Sequence, residues 1–263
     1  MLVDLEKKKI QFLSDANINK VIVVCSHERS GTHFLMNSIA LNSHYSVEPF
    51  VDFDYMNLGD VINFHKSDHV SNFIKKIAFI KKKDTRYGLS SLIKSHHPAY
   101  IFKNLFNSDD VIFYYIYRNP IDTLISYWKF INHWDWHEGP KETNLIKFVK
   151  SSPEGQMQRY QKKSYHNIFA RWANHVSEWV ECSSKFKNIY LVKYENLNND
   201  FEETMKNVLK SIETHNVKIN RPPKENFVMT NQLKISDNEI KEYKDFIKIC
   251  LLDYPSLKEV LEI

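Results

Sequence analysis

The sequence predicts an α/β domain: a mostly parallel sheet with helices on both faces. Two observations carry this. Val21-Ile22-Val23-Val24-Cys25 and Val111-Ile112-Phe113-Tyr114-Tyr115-Ile116-Tyr117 are unbroken apolar runs, the pattern of strands buried on both sides. Each run leads through a short loop into a segment of helical periodicity, the alternation that a parallel sheet requires. A length of 263 residues suits one large domain with a substantial core.

The elements follow in order. After the first strand, Phe34, Leu35, Ile39 and Ala40 recur at helical spacing. Tyr55–Lys83 holds helical segments that end in Lys81-Lys82-Lys83, a solvated helix end. Leu89–Lys94 reads as a short strand. The Val111–Tyr117 strand is followed by a helix that Pro120 suits at its first turn. His133–Pro140, with Trp134 and Trp136, reads as a loop over a pocket. From Lys162 to Cys182, the residues Phe169, Trp172, Val176 and Trp179 step at three and four, an amphipathic core helix. Asn188–Tyr194 is a further strand, followed by a helix through Ile212, and the tail ends in a helix over Asp237–Leu252. There is no repeat and no linker. Residues 1–263 read as a single domain with an N-terminal extension over 1–20 and a helical tail over 221–263.

Composition narrows the function classes. Lys+Arg against Asp+Glu is 36 to 32, a net charge of +4, too weak a field to point to nucleic acid. No run reaches the roughly eighteen apolar residues of a membrane span, and no signal peptide is indicated. Cys25, Cys182 and Cys250 are odd in number and scattered, which reads as reduced thiols in a cytoplasmic chain. Cys25, at the end of the first strand, reads as packing.

The first loop, Ser26-His27-Glu28-Arg29-Ser30-Gly31-Thr32-His33-Phe34, joins a strand to a helix N-terminus and makes an anion site. The first helical N–H groups lack partners, and the macrodipole adds partial positive charge. Gly31 permits close backbone approach, Arg29 supplies charge, and Ser30 and Thr32 supply hydroxyls. The loop lacks the Gly-Lys-Ser/Thr ending that places a hydroxyl on Mg²⁺ in a Walker A loop. A second signature follows the Val111–Tyr117 strand: Arg118-Asn119-Pro120, with Ser126 a little over two helical turns on and facing the same crevice.

These two segments, with Lys94-Ser95-His96-His97-Pro98, resemble the three core motifs of the sulfotransferases that use 3′-phosphoadenosine-5′-phosphosulfate (PAPS). The likeness runs from Val21 to Leu197 and includes Trp172, Trp179 and Tyr194-Glu195-Asn196-Leu197. It implies the P-loop-like sulfotransferase fold and transfer of a sulfuryl group from PAPS to a hydroxyl or amine, releasing adenosine 3′,5′-bisphosphate (PAP) with no metal. It implies that Arg29, Ser30, Gly31, Thr32 and His33 bind the 5′-phosphosulfate and that Arg118 and Ser126 bind the 3′-phosphate. Phe34 and Tyr194 stand where the family places rings near the adenine, though both also read as core aromatics. Lys94 and Arg29 neutralise the leaving group, and His96 is the general base. His97 competes as base or caps the turn before Pro98, and His33 reads as a first-turn helix residue ahead of a catalytic one.

One departure is clear. Cytosolic animal and plant members close over the 3′-phosphate with a glycine-rich Arg-Lys-Gly loop, whereas Gly155 is the last glycine here. Either Arg221 or Lys224 substitutes for it, or the donor is held less tightly. The acceptor is read as a small or glycan-type hydroxyl compound, with part of its wall from His133–Met157, Trp134, Trp136 and Tyr160. No nucleic-acid or membrane partner is expected, and the oligomeric state is not legible. Two other readings remain: a P-loop nucleoside or nucleotide kinase, and a non-catalytic nucleotide- or glycan-binding module.

Overall fold

In the computed structural model, which describes residues 20–43, 45–52, 66–83, 91–161, 163–212, 218–223 and 233–261, five strands form one parallel sheet. They are β1 (Val21–Ser26), β2 (Ser46–Asp52), β3 (Ser91–Ser95), β4 (Val111–Tyr117) and β5 (Ile189–Lys193), in the order β2-β3-β1-β4-β5. The two apolar runs lie side by side, in register from Val21↔Val111 to Ser26↔Ile116. Every residue of both is buried, which is why neither alternates polar with apolar.

Successive side chains go to opposite faces. Val21, Val23, Cys25, Phe113 and Tyr115 enter a larger core, and Ile22, Val24, Ile112, Tyr114 and Ile116 a smaller one. The smaller core is covered by α1 (Thr32–Asn42) and, beyond the short α6 (Tyr194–Asn199), by α7 (Phe201–Ser211). The larger is covered by α2 (Ser67–Lys83), α3 (Pro120–His133), α4 (Leu145–Lys150), α5 (Ile168–Lys185), α8 (Asp237–Cys250) and α9 (Pro255–Leu261). In α5 the stripe Phe169, Trp172, Val176 and Trp179 is buried. Trp179 stacks on Tyr115 at 5.1 Å and an interplanar angle of 10°.

Among the described residues the structure departs from expectation at several elements: a helix at Leu145–Lys150 was not anticipated, and the helix expected from Lys162 starts at Ile168. Strand β2 was not anticipated: Pro49 interrupts its pattern, and proline is tolerated on an edge strand, where a missing N–H breaks no central ladder. Its register with β3 shifts between Ser46 and Val51. The helix expected through Ile212 breaks at Asp200 (φ −118°, ψ 52°), after Asn198 and Asn199, side chains that compete for backbone hydrogen bonds. The last helix ends at Cys250 instead of Leu252, and a 3₁₀ turn (Leu251–Asp253) leads into the unanticipated α9. Pro255 suits its first position. The described part of the expected Tyr55–Lys83 segment is helical from Ser67, as α2; residues 55–65 of that segment, residues 84–90 before β3, and 1–19 of the N-terminal extension lie outside the described residues. Among the described residues, no helix is long and apolar enough to cross a membrane. Cys25 is fully buried, as its packing role requires.

Candidate functional site

The C-terminal ends of β1, β3, β4 and β5 deliver the predicted motifs to one crevice. Chain connections reverse direction at β1, where open α/β sheets place their ligands. After β1, Arg29 takes φ 66° and Gly31 φ 99°. Only glycine adopts the second without strain, and a Cβ there would lie 2.4 Å from the Tyr194 ring. A positive φ at a bulky residue such as Arg29 is strain of the kind that collects at functional sites. Gly31 leads into α1, which has no side-chain cap and no acidic residue in its first turn. Its N–H groups and dipole therefore meet the crevice unneutralised.

The crevice is a cavity of about 590 Å³. Of the predicted residues, Arg29, Gly31, Thr32, His33 and Phe34 line it from the loop and α1, and Lys94 and His96 from the end of β3. Arg118, Ser126 and Tyr194 line it from β4, α3 and α6. Ser30 is fully buried within the loop. Arg29 donates from Nε to Ser126 Oγ at 3.1 Å, and the Arg118 guanidinium lies 4.5 Å over the Tyr194 ring. Burial, and then the like charge of Arg118, lower the pKa of Arg29. Ser30 Oγ and Arg118 Nε are buried without a hydrogen-bond partner among the described residues. Two crowded guanidiniums, an acid-free helix N-terminus and two orphaned donors fit a polyanion such as a phosphosulfate nucleotide.

His96 and His97 are held differently. His96 Nδ1 lies 3.0 Å from the Ser26 carbonyl and 3.1 Å from Ser26 Oγ, which in turn bonds Thr32 Oγ1 at 2.6 Å. A proton on Nδ1 donated to that carbonyl makes Nε2 the basic nitrogen. His97 Nδ1 turns back to Ser95 Oγ at 3.1 Å, and the same hydroxyl accepts from the His97 N–H. The pair therefore divides, with His96 on the cavity and His97 in the turn before Pro98. Phe34 combines both of its expected readings, since it lines the cavity and also stacks on Phe201 at 5.9 Å.

A buried polar cluster behind the loop was not anticipated. Arg171 of α5 donates to Glu28 Oε1 at 2.7 Å, to Glu28 Oε2 at 3.0 Å and to His27 Nε2 at 2.8 Å. Tyr127 donates to Glu28 Oε1 at 3.0 Å. Burial would raise the Glu28 pKa, but Arg171 and His27 hold it well below its ordinary value. Burial lowers His27 to about 4, keeping it neutral. His175, likewise lowered by burial, bonds the His96 carbonyl at 3.1 Å and Tyr115 OH at 2.9 Å. The signal was present: Arg171 and His175 fall on the same stripe of α5 as Ile168, Trp172 and Val176.

The expected acceptor wall needs correction. Phe130, Glu138, Arg159 and Tyr160 line the cavity, but Trp134 and Trp136 do not. The two indoles stack on each other at 4.2 Å. They reach the wall only through Phe130, 5.9 Å from Trp134, and Glu138, which accepts from Trp136 Nε1 at 3.1 Å. Glu138 is also held by Arg159 at 2.9 Å. Of the two expected substitutes for the missing closing loop, Arg221 lies 5.4 Å over the Phe34 ring; Lys224 is outside the described residues.

Comparison with known proteins gives a consistent family. The model of the sulfotransferase domain matches residues 19–248. Sulfotransferase 2A1 of Macaca fascicularis is 30% identical over 118 residues, 44% of this chain and 36% of the macaque protein. Sulfotransferase 2A1 of Mus musculus is 25% identical over 187 residues, 71% of this chain and 57% of that protein. The matched region thus spans between about a third and somewhat over half of these relatives. Among solved structures, a sulfotransferase from Alicyclobacillus acidocaldarius aligns over 98% of this chain and 91% of its own, with 13% identity and a TM-score of 0.44. Mouse sulfotransferase SULT7A1 complexed with PAP aligns over 92% and 68%, with 18% identity and a TM-score of 0.45.

Proposed function

Because the chain belongs to the sulfotransferase-domain family, we propose that it transfers a sulfuryl group from PAPS to a hydroxyl or amine acceptor and releases PAP. One observation carries this reading: Arg29, Arg118 and the acid-free N-terminus of α1 converge on a cavity that Lys94 and His96 also line. In this reading Arg29, Ser30, Gly31, Thr32 and His33 hold the 5′-phosphosulfate. Arg118 and Ser126 hold the 3′-phosphate, and Phe34 and Tyr194 flank the adenine. Arg221, over Phe34 and Phe201, makes the closing contact.

The donor supplies an activated sulfuryl group; the chain supplies position, charge and a proton acceptor. The acceptor oxygen forms its bond to sulfur as the bond from sulfur to the phosphate oxygen breaks. The hydroxyl proton goes to His96, and the electron pair stays on the phosphate oxygen, where Lys94 and Arg29 offset its charge. No metal is required. The same reading places the protein in the cytoplasm with a small-molecule or glycan acceptor.

The test is transfer of radiolabelled sulfate from PAPS to phenolic and sugar acceptors in excess EDTA. Labelled product with equimolar PAP, and no γ-phosphate transfer from ATP, is the expected result. Activity that vanishes on chelation, returns with Mg²⁺ and uses ATP as donor would contradict it in favour of a kinase.

A further inference from the structure

Among the cavity-lining residues that the donor assignment leaves over are Phe130, Glu138, Arg159 and Tyr160; Glu28, Asn37, Asn198, Pro222 and Pro223 also line it. Glu138 is almost fully buried, and its carboxylate is shared between Arg159 on Oε1 (2.9 Å) and Trp136 on Oε2 (3.1 Å). The Arg159 guanidinium lies 4.4 Å over the Tyr160 ring, and Tyr160 meets His96 edge-on at 5.8 Å. The polar seat therefore adjoins the group assigned as base. We infer that the acceptor is a glycan of at least two pyranose rings. One ring sits against Glu138, Arg159 and Tyr160, and the next lies on the exposed face of Trp136, itself stacked on Trp134.

Three observations favour this acceptor over others, given the function proposed above. The Glu138–Arg159 pair has no net charge, so it selects neither an ammonium nor a carboxylate. A lipophilic ring pressed onto the partly exposed Arg159 would strip water from its guanidinium and replace none of those hydrogen bonds, at a cost in free energy. Sugar hydroxyls accept from a guanidinium as water does, and so replace that water. Secondly, the two indoles stack at 4.2 Å and 23°, and Trp136 is 43% exposed. An exposed aromatic face of this kind receives the apolar face of a pyranose. Thirdly, the platform is preorganised. Gln156 and Met157 donate backbone bonds to the His137 and Glu138 carbonyls at 3.0 and 2.9 Å, and Lys141 ties the loop to the Ile131 and Trp134 carbonyls. The platform joins the cavity wall through Glu138 itself.

The experiment offers PAPS with p-nitrophenol, methyl glucoside, cellotetraose, maltotetraose and chitotetraose, and records the PAP-induced melting shift in parallel. We expect at least one tetrasaccharide to be sulfated with kcat/KM about tenfold above its methyl glycoside. Trp136→Ala should cut that preference about three- to tenfold, the range of one aromatic contact, while the PAP-induced shift persists. Glu138→Gln should lower kcat/KM for every sugar acceptor, again with the shift retained. Failure of every pyranoside, whatever else is accepted, overturns the inference; so does a tetrasaccharide preference that Trp136→Ala leaves intact. A chain that shows no PAP-induced shift contradicts the sulfotransferase reading and takes this inference with it.

Discussion

His96 and His97 are adjacent in sequence and separate in environment. His96 lines the cavity with Nδ1 held by Ser26, whereas His97 is bound back to Ser95. His96→Ala is therefore expected to lower turnover by about 10² to 10⁴, the contribution of a positioned base, with the PAP-induced melting shift retained. His97→Ala should lose far less turnover, and the reverse order would move the base by one residue. His27 and His175 give a second prediction. Both are kept neutral, chiefly by burial, His27 at about 4 against an ordinary 6.5. In the unfolded chain each takes a proton near its ordinary value. Between about pH 6.5 and pH 4 the unfolded state therefore binds more protons, and stability falls as pH falls. Glu28, held below its ordinary value within the same cluster of His27, Arg171, His96 and Tyr127, acts in the same direction at lower pH. The melting temperature should drop steadily from about pH 7 to pH 5; a flat or rising profile would show that these histidines are not buried neutral.

At the scale of elements, the pair Glu28–Arg171 joins the loop after β1 to α5, and Arg171 also reaches the Met157 carbonyl at 3.3 Å. Breaking a buried pair strands a charge. Arg171→Met alone should therefore cost about 3–5 kcal/mol in urea denaturation, and the double variant Glu28→Gln, Arg171→Met should recover much of it. Equal losses in both would show that packing, and not the pair, holds the loop. This contact also marks a limit of reading in one dimension. Arg171 lies on a stripe that is apolar except for His175, and the partner that explains it is 143 residues away. Elements with one signal were legible: β1 and β4 are apolar throughout, and α5 repeats large side chains at helical spacing. Strand β2 was not, because an edge strand with Pro49 has neither alternation nor an apolar run. The placing of Trp134 and Trp136 off the cavity wall was equally hidden, since it rests on their mutual stacking and on the Trp136–Glu138 bond.

For the whole molecule, the parallel order β2-β3-β1-β4-β5 brings four strand ends together, so loops spread over the chain from Ser26 to Tyr194 form one cavity. The candidate residues on these loops were legible because each follows a strand directly, and a residue just past a parallel strand faces the crevice. The central claim is that the cavity accepts a nucleotide bearing both a 5′- and a 3′-phosphate, the latter at Arg118 and Ser126. The most direct measurement is the melting shift caused by PAP against that caused by AMP, in the intact chain and in Arg118→Ala. At a hundredfold excess over its dissociation constant a ligand adds about 2.7 kcal/mol, readily seen as a rise in melting temperature. A large shift is expected with PAP, a much smaller one with AMP, and no difference between them in Arg118→Ala. Equal shifts for the two nucleotides in the intact chain would contradict the 3′-phosphate assignment to Arg118 and Ser126.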